Sequence, residues 1–547
     1  MNVAHNVHVA NGSVYVPPPD YGDVPPTILN APVTPGFVAP PPIEQGDWWT
    51  QTKLWYRQQW KKTDPVLPAV PASLGLAATA ASLAGNLTGT GMVMIPFAFV
   101  WIGWSAILWL PLFGVLAAFS ASLLESCCEM LEVRYEEYRR FHWYTQYSDI
   151  ANRALGPALA KVVTALRFLC VVGVWAVVIV IASAAMVDFV AALMPTPIPK
   201  GYVYCSLVTV YGVFFTLYSG PVAPHGRYWR VCGLVNTPFV LVLTILLLVG
   251  IADNKKMAEG TGGALFTIGS LSLPLNLSSF LGTVPGQSRS VLYFVGLGIL
   301  AFNFAAVCGF TNIRRDMKAP PCFTKAAAFG VAGSTLALFV VGVTAYAVLT
   351  VVTGNVVLSL NGRDTRIAAN IFTVMCTEQA MSLTYIIMGE YDRVEDYGKR
   401  VAWNRAKRSS PLALCAGLLA LAVPYDGALM GLVGSLALCP IAFVLPPVFY
   451  YKLCQGSEQW PEKPLSMRMK ICLALAVLSG LLVFIGGTVT SIIQLVEESR
   501  VDEQSCFWGF CYDQKFAHTP QSVSIYDILT SGRKPEDRLW LQCAKKS

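Results

Sequence analysis

Three stretches of this sequence carry residue types that can bind small charged ligands inside an otherwise apolar chain. The first reads Leu83-Ala84-Gly85-Asn86-Leu87-Thr88-Gly89-Thr90-Gly91-Met92-Val93-Met94-Ile95-Pro96. Its glycines, threonines, asparagine and proline make a poor continuous helix. In lipid, an unsatisfied peptide group costs several kcal/mol, so a helix break persists only where protein, water or a ligand satisfies it. A break of this kind leaves N–H groups that can face a carboxylate and C=O groups that can take an ammonium or a cation. Close helix packing accounts for the glycines but not for Thr88, Thr90 and Pro96. The expectation is a functional break within Asn86-Leu87-Thr88-Gly89-Thr90-Gly91.

The second stretch, Val295 to Phe310, sets Asn303 between Phe302 and Phe304, with Gly296 and Gly298 before and Gly309 after. If the chain contains inverted repeats, this helix breaks as the first does. It lacks the central glycines and proline of the first, and its phenylalanines either line a small pocket or serve as core or lipid-facing aromatics. The third is Glu378 in Thr373-Val374-Met375-Cys376-Thr377-Glu378-Gln379. A carboxylate at mid-membrane is costly and suits a proton carrier; the structural alternative is a partner on another helix, with Arg167 in reach. Arg167 also lies near enough to a helix end to snorkel.

The elements holding these residues follow from composition. Of 547 residues, 54% are hydrophobic and 13% charged, about half the charge of an ordinary soluble protein. Such a chain cannot cover a globular surface with polar groups, which excludes a soluble enzyme and a disordered or fibrous chain. A polytopic membrane protein remains, with the lipid bilayer as its solvent. The net charge of +7 is spread over many short loops, so nucleic acid is not an expected partner. No nucleotide-binding loop, nucleophile–histidine arrangement or metal-ligand spacing occurs. No metal or other cofactor is expected, and an ion or concentration gradient must drive any transport.

A helix needs about 20 apolar residues to cross the hydrocarbon. Windows of that length fall at about 72–98, 104–126, 162–194, 202–220, 231–252, 291–310, 326–353, 367–389, 411–424, 427–452 and 470–496. Eleven spans put the termini on opposite sides. Flanks rich in Lys and Arg, from Lys53 and Arg57 through Arg134, Arg314 and Arg405 to Lys470, mark one side as cytoplasmic and place the N-terminus there. The sequon at Asn276 then lies outside the cytoplasm, as do Cys506 and Cys511, which can close a small disulfide. Residues 1–70 read as a disordered, Pro-rich cytoplasmic tail, 71–496 as the membrane domain and 497–547 as an extracytoplasmic tail. Within the first tail, Pro18-Pro19-Asp20-Tyr21 has the PPxY form gripped by WW domains. No cleavable signal peptide opens the chain, so the first span is expected to act as the insertion signal.

Several of these segments resemble the amino acid/auxin permease family. Residues Gly85 to Ala98 are similar to its "N-x-x-G-x-G-x-x-x-x-P-x-A" opening. Tyr147-Ser148-Asp149-Ile150-Ala151 with Leu155-Gly156 looks like its motif before the third helix. Asn312-Ile313 with Met317-Lys318-Ala319-Pro320 is similar to its exit from the sixth helix. Leu432-Val433-Gly434-Ser435 and Leu445-Pro446-Pro447-Val448-Phe449-Tyr450 resemble its tenth-helix signature. The resemblance implies an all-α LeuT-type fold, a 5+5 inverted repeat plus one extra helix, that binds an amino acid near the midplane. Thr88, Gly89, Thr90 and Gly91 would then face its carboxylate, and Phe302, Asn303 and Phe304 its side chain. Thr377 would be an ion ligand in sodium-coupled relatives. Similarity to the vesicular inhibitory and proton-coupled branches favours H+ over Na+ as coupling ion, at the cell surface or in an acidic organelle. The eighth helix departs from the pattern, lacking the family's prolines. A non-transporting amino acid sensor of the same fold is the alternative function.

Overall fold

The computed structural model describes residues 74–135, 138, 147–193, 200–219, 227–260, 289–315, 317–349, 355–360, 362–377, 399–423, 425–455 and 462–501. Pro18, Pro19, Tyr21, Asn276, Glu378, Cys506 and Cys511 lie outside the described residues.

The described part of each apolar window falls mainly on helix. Span 1 comprises α1 (Leu76–Thr88) and α2 (Ile95–Ile102), and span 2 is α3 (Ala106–Arg134). The short α4 (Tyr147–Leu155) precedes span 3, α5 (Pro157–Leu193). Spans 4 and 5 are α6 (Lys200–Ser219) and α7 (Arg227–Gly260). Span 6 comprises α8 (Arg289–Phe302) and α9 (Phe310–Arg315), and span 7 is α10 (Phe323–Val348). The described part of span 8 is α11 (Arg363–Met375), followed by span 9, α12 (Lys399–Ala422). Span 10 runs from α13 (Asp426–Val433) to α14 (Leu445–Cys454), and span 11 is α15 (Met467–Val501). Span 9 begins twelve residues before its apolar window, because the basic run Lys399–Arg408 continues the helix beyond the hydrocarbon-length segment.

Six helical runs among the described residues are long and apolar enough to cross a membrane, and a seventh is the bent pair of span 6. The longest run, Leu76–Arg134, has 59 residues. At 1.5 Å per residue a straight helix of that length would be about 90 Å long, three times the hydrocarbon thickness. It is two crossings, turned at Gly103, whose φ of 71° is open to glycine alone without strain. Apolar side chains face outward in quantity, among them Leu108, Val115, Val162, Phe329, Leu336, Leu475 and Ile485, as a lipid-facing surface requires. Span 3 is the central post: 83% of its apolar window is buried, against 28% for span 11 at the periphery.

The packing repeats itself with a five-span offset. Spans 2 and 7 pack together, as do 3 and 8, 4 and 9, and α2 of span 1 with α8 of span 6. Span 1 packs on span 5 as span 6 packs on span 10, and span 5 meets span 8 as span 10 meets span 3. Because five is odd, the second set runs opposite to the first, which is an inverted 5+5 repeat, with span 11 outside it against spans 6 and 10. The close approaches repeat as well. A Cβ on Gly85 or Gly233 would strike the backbone of the other span, 1 against 5; Gly298 stands in the same relation to Gly431 and Gly434, 6 against 10. Among the described residues the only β-type pairing is the bridge between Leu74 and Met317. There the Lys318 N–H donates to the Leu74 carbonyl at 3.0 Å, tying the entry of span 1 to the exit of span 6.

Candidate functional site: two matched helix breaks

Spans 1 and 6 are interrupted in the same way. In each, a long α-helix ends, a five-residue 3-10 segment follows (Thr90–Met94, Ala305–Gly309), and a short α-helix resumes. The two halves of span 6 are bent by 43°. The local causes differ.

In span 1 the break is a glycine break. Gly89 has φ 30° and ψ −148°, a conformation no side-chain-bearing residue adopts without strain. Carbonyls in the last two turns of α1 take second, side-chain hydrogen bonds beside their helical ones. Asn236 Nδ2 donates to the Gly85 carbonyl at 2.7 Å, and Thr237 Oγ1 donates to that of Ala81 at 2.7 Å. Thr88 Oγ1 donates to the Ala84 carbonyl at 2.9 Å and lies 2.6 Å from Ser334 Oγ of span 7. Asn86, Thr88, Thr90 and Gly91 are all buried.

In span 6 an asparagine does what glycine does in span 1. The backbone N–H of Asn303 donates to the Leu300 carbonyl at 3.3 Å, three residues back. Its own side-chain Nδ2 takes the carbonyl four residues back, that of Ile299, at 3.0 Å. The side chain thus occupies the acceptor an α-helix would use, and the backbone tightens into a 3-10 turn. The Phe304 N–H follows suit, donating to Ala301 at 3.0 Å. This explains how span 6 breaks with neither glycine nor proline at its centre.

The two breaks meet at Gly91 and Asn303. A Cβ on Gly91 would collide with Asn303 Oδ1, and Met430 of span 10 lies just beyond. Asn303 is 3% exposed, and its Oδ1 is a buried acceptor without a hydrogen-bond partner. Nearly all buried side-chain oxygens are bonded, so this acceptor at the helix break is free to take a donor.

Of the aromatic pair around Asn303, Phe304 is fully buried in a triad with Phe113 and Phe443, ring centroids 5.4–6.4 Å apart. It is core that backs the break. Phe302 is also buried, with its backbone nitrogen close to Gly434 of span 10. Thr377 is half-buried in the turn after α11, its N–H donating to the Val374 carbonyl.

Two residues contribute more than their sequence context signals. Arg167, near enough to its helix end to snorkel on sequence grounds, is fully buried. Its Nη2 donates to the Cys308 carbonyl in the span 6 break at 3.2 Å, and its guanidinium lies 5.2 Å from the ring of Tyr147. Tyr147 Oη in turn donates to the Ile441 carbonyl at 2.7 Å, inside a π-helical stretch of span 10, where Ser120 Oγ likewise takes the Ala442 carbonyl. The second is Asn236, whose Nδ2 holds the Gly85 carbonyl at the first break. A polar pair, Asn236-Thr237, inside an apolar window was the signal that could have found it.

Ion pairs hold the ends of the bundle. Arg314 of α9 makes a bidentate bond to Glu132 of span 2, at 2.8 and 3.2 Å, with both side chains buried. At the other end Asp188 of span 3 receives the Arg366 guanidinium, through Nε at 2.7 Å and through Nη2, together with Asn370 Nδ2 at 2.6 Å, both from span 8. Asp188 is thus an anchor between spans. No group of three or more candidate metal ligands occurs among the described residues.

The chain is similar to several known proteins. Amino acid transporter AVT1H of Arabidopsis thaliana is 25% identical over 405 residues, 71% of this chain and 84% of its own. Amino acid transporter AVT3B of the same plant is 22% identical over 417 residues, 75% of this chain and 92% of its own. A solved structure of Mhp1, a nucleobase-cation-symport-1 family transporter in a closed conformation with bromovinylhydantoin bound, aligns at 13% identity with a TM-score of 0.46. It covers 78% of this chain and 92% of that one. The family model described as transmembrane amino acid transporter protein matches residues 74–493. That match takes in both breaks and all the spans but the last residues of span 11, and the chain belongs to this family of integral membrane proteins.

Proposed function

We propose that this protein is a proton-coupled secondary active transporter of amino acids, binding its substrate where the breaks of spans 1 and 6 meet. The observation that carries this reading is the unpartnered Oδ1 of Asn303, buried against Gly91 between two segments of non-α-helical backbone. An amino acid supplies what such a place lacks: an ammonium to donate to a buried oxygen and a carboxylate for the N–H groups of a broken helix. Substrate would displace Asn303 from Gly91 and draw the two breaks around itself. Glu378, with Thr377 beside it, is our assignment for the coupling residue, on the cost of a carboxylate at mid-span. The basic flanks put the N-terminus in the cytoplasm, with Asn276 glycosylated and Cys506–Cys511 bridged on the opposite side. Pro18, Pro19 and Tyr21 form a WW-domain ligand in the N-terminal tail.

The test is uptake of a panel of labelled amino acids into proteoliposomes at two external pH values, with and without sodium. An inward proton gradient alone should drive accumulation, and Glu378→Gln should uncouple it. Accumulation that requires sodium at both pH values would replace the proton with sodium. Saturable binding without flux would make the protein a sensor.

A further inference from the structure

Where span 3 meets the second break, two thiols face each other. Cys170 Sγ and Cys308 Sγ are 3.6 Å apart, and both residues are fully buried. They belong to different elements: Cys170 to the central span 3, Cys308 to the 3-10 segment Ala305–Gly309 of span 6. Arg167, one helical turn before Cys170, also holds Cys308 from span 3, through its carbonyl. The broken segment is thus fixed to span 3 by one hydrogen bond and by a thiol pair that needs to close by only about 1.5 Å to reach covalent S–S length.

We propose that Cys170 and Cys308 are an oxidative modification site, a disulfide that fastens the span 6 break to span 3 and holds the protein in one conformation. The oxidant is a peroxide. One sulfur, as thiolate, attacks a peroxide oxygen; the O–O bond breaks, giving a sulfenic acid and, with hydrogen peroxide, one water. The second thiol displaces the sulfenic hydroxyl as a second water, so that two thiols lose two hydrogens and one Sγ–Sγ bond forms. Buried thiols are poor nucleophiles, so the reaction proceeds when the site opens to water. Span 3 is the most enclosed of the six long apolar runs among the described residues, whereas Cys308 lies in the short 3-10 segment where the helix of span 6 is interrupted. A covalent link between them therefore acts on conformation directly. Its effect on flux rests on the transport reading above; its formation and its effect on mobility do not.

The experiment uses the full chain in proteoliposomes treated with hydrogen peroxide, then with dithiothreitol. Non-reducing peptide mapping should find a Cys170–Cys308 linked peptide. Hydrogen exchange over residues 303–309 should slow by about tenfold or more. Uptake of a ¹⁴C-labelled L-amino-acid mixture should fall in proportion to the linked fraction and return on reduction. Cys170→Ser should be taken up to the oxidant without loss of activity, and Cys170→Ala serves if the serine variant fails to fold. The proposal is overturned if exposed Cys472 is oxidised while no linked peptide forms. It is also overturned if peroxide suppresses hydrogen exchange or uptake equally in the Cys170 variants. If flux is absent throughout but the link forms and exchange slows, the modification site stands and the transport reading fails.

Discussion

The side-chain oxygen of Asn303 rests against the α-carbon of Gly91, so that the breaks of spans 1 and 6 touch where no methyl group fits between them. This contact makes glycine at 91 a packing requirement imposed by the other half of the chain. Gly91→Ala should lower thermal stability by the about 1–3 kcal/mol typical of overpacking and abolish uptake. Asn303→Ala makes room for the added methyl, so the double variant should recover part of the stability. Additive losses in the double variant, read from thermal unfolding in detergent, would mean that the two residues do not share this contact.

The orphan oxygen of Asn303 gives a separate expectation. Asn303→Leu removes both the acceptor and the Nδ2 bond to the Ile299 carbonyl. If Oδ1 receives a substrate donor, the apparent KM should rise by about 5- to 150-fold, the equivalent of about 1–3 kcal/mol. A fall in maximal rate with KM unchanged would show that Oδ1 does not touch the substrate.

Arg167 reaches the second break through a planar guanidinium that also stacks on Tyr147. Arg167→Lys keeps the charge but loses that shape, and the substitution should not be tolerated as conservative. Uptake should fall well below wild type, and it should fall more than in Tyr147→Phe, which loses only the bond to Ile441, worth about 1 kcal/mol. Wild-type flux in Arg167→Lys would show that a point charge at this position suffices.

The two ion pairs at the ends of the bundle differ in enclosure, and their removal should differ in cost. The side chains of Arg314 and Glu132 are 4% and 2% exposed, whereas Arg366 of the Asp188 pair is 28% exposed. Glu132→Gln takes the bidentate carboxylate from a buried guanidinium and should destabilise by about 3–5 kcal/mol. Asp188→Asn leaves Arg366 access to water and should cost less, about 1.5–3 kcal/mol. Thermal unfolding of the two single variants checks the order, and the reverse order would contradict it.

Much of the architecture was legible because lipid imposes it. Apolar windows of hydrocarbon length marked the spans, and the glycines and proline of Gly85–Pro96 marked the first break, since both signals are local. Span 6 was harder to read. Its break depends on an asparagine side chain taking the Ile299 carbonyl, and an Asn between two phenylalanines in an apolar run does not announce which way that side chain turns. The ends of spans 9 and 3 also ran past their windows, because helix continues beyond the membrane wherever its backbone stays satisfied.

The sequence by itself determined that this chain crosses a membrane many times and that its first span is interrupted, because composition and glycine placement act residue by residue. Only the tertiary structure decided which distant groups complete the site. Asn303 meets Gly91, Arg167 holds Cys308, and Asn236 caps Gly85 because the inverted repeat brings spans far apart in sequence into contact. The physical reason is that a buried polar group must find a partner wherever the fold supplies one, and that location is a property of packing, not of sequence neighbours.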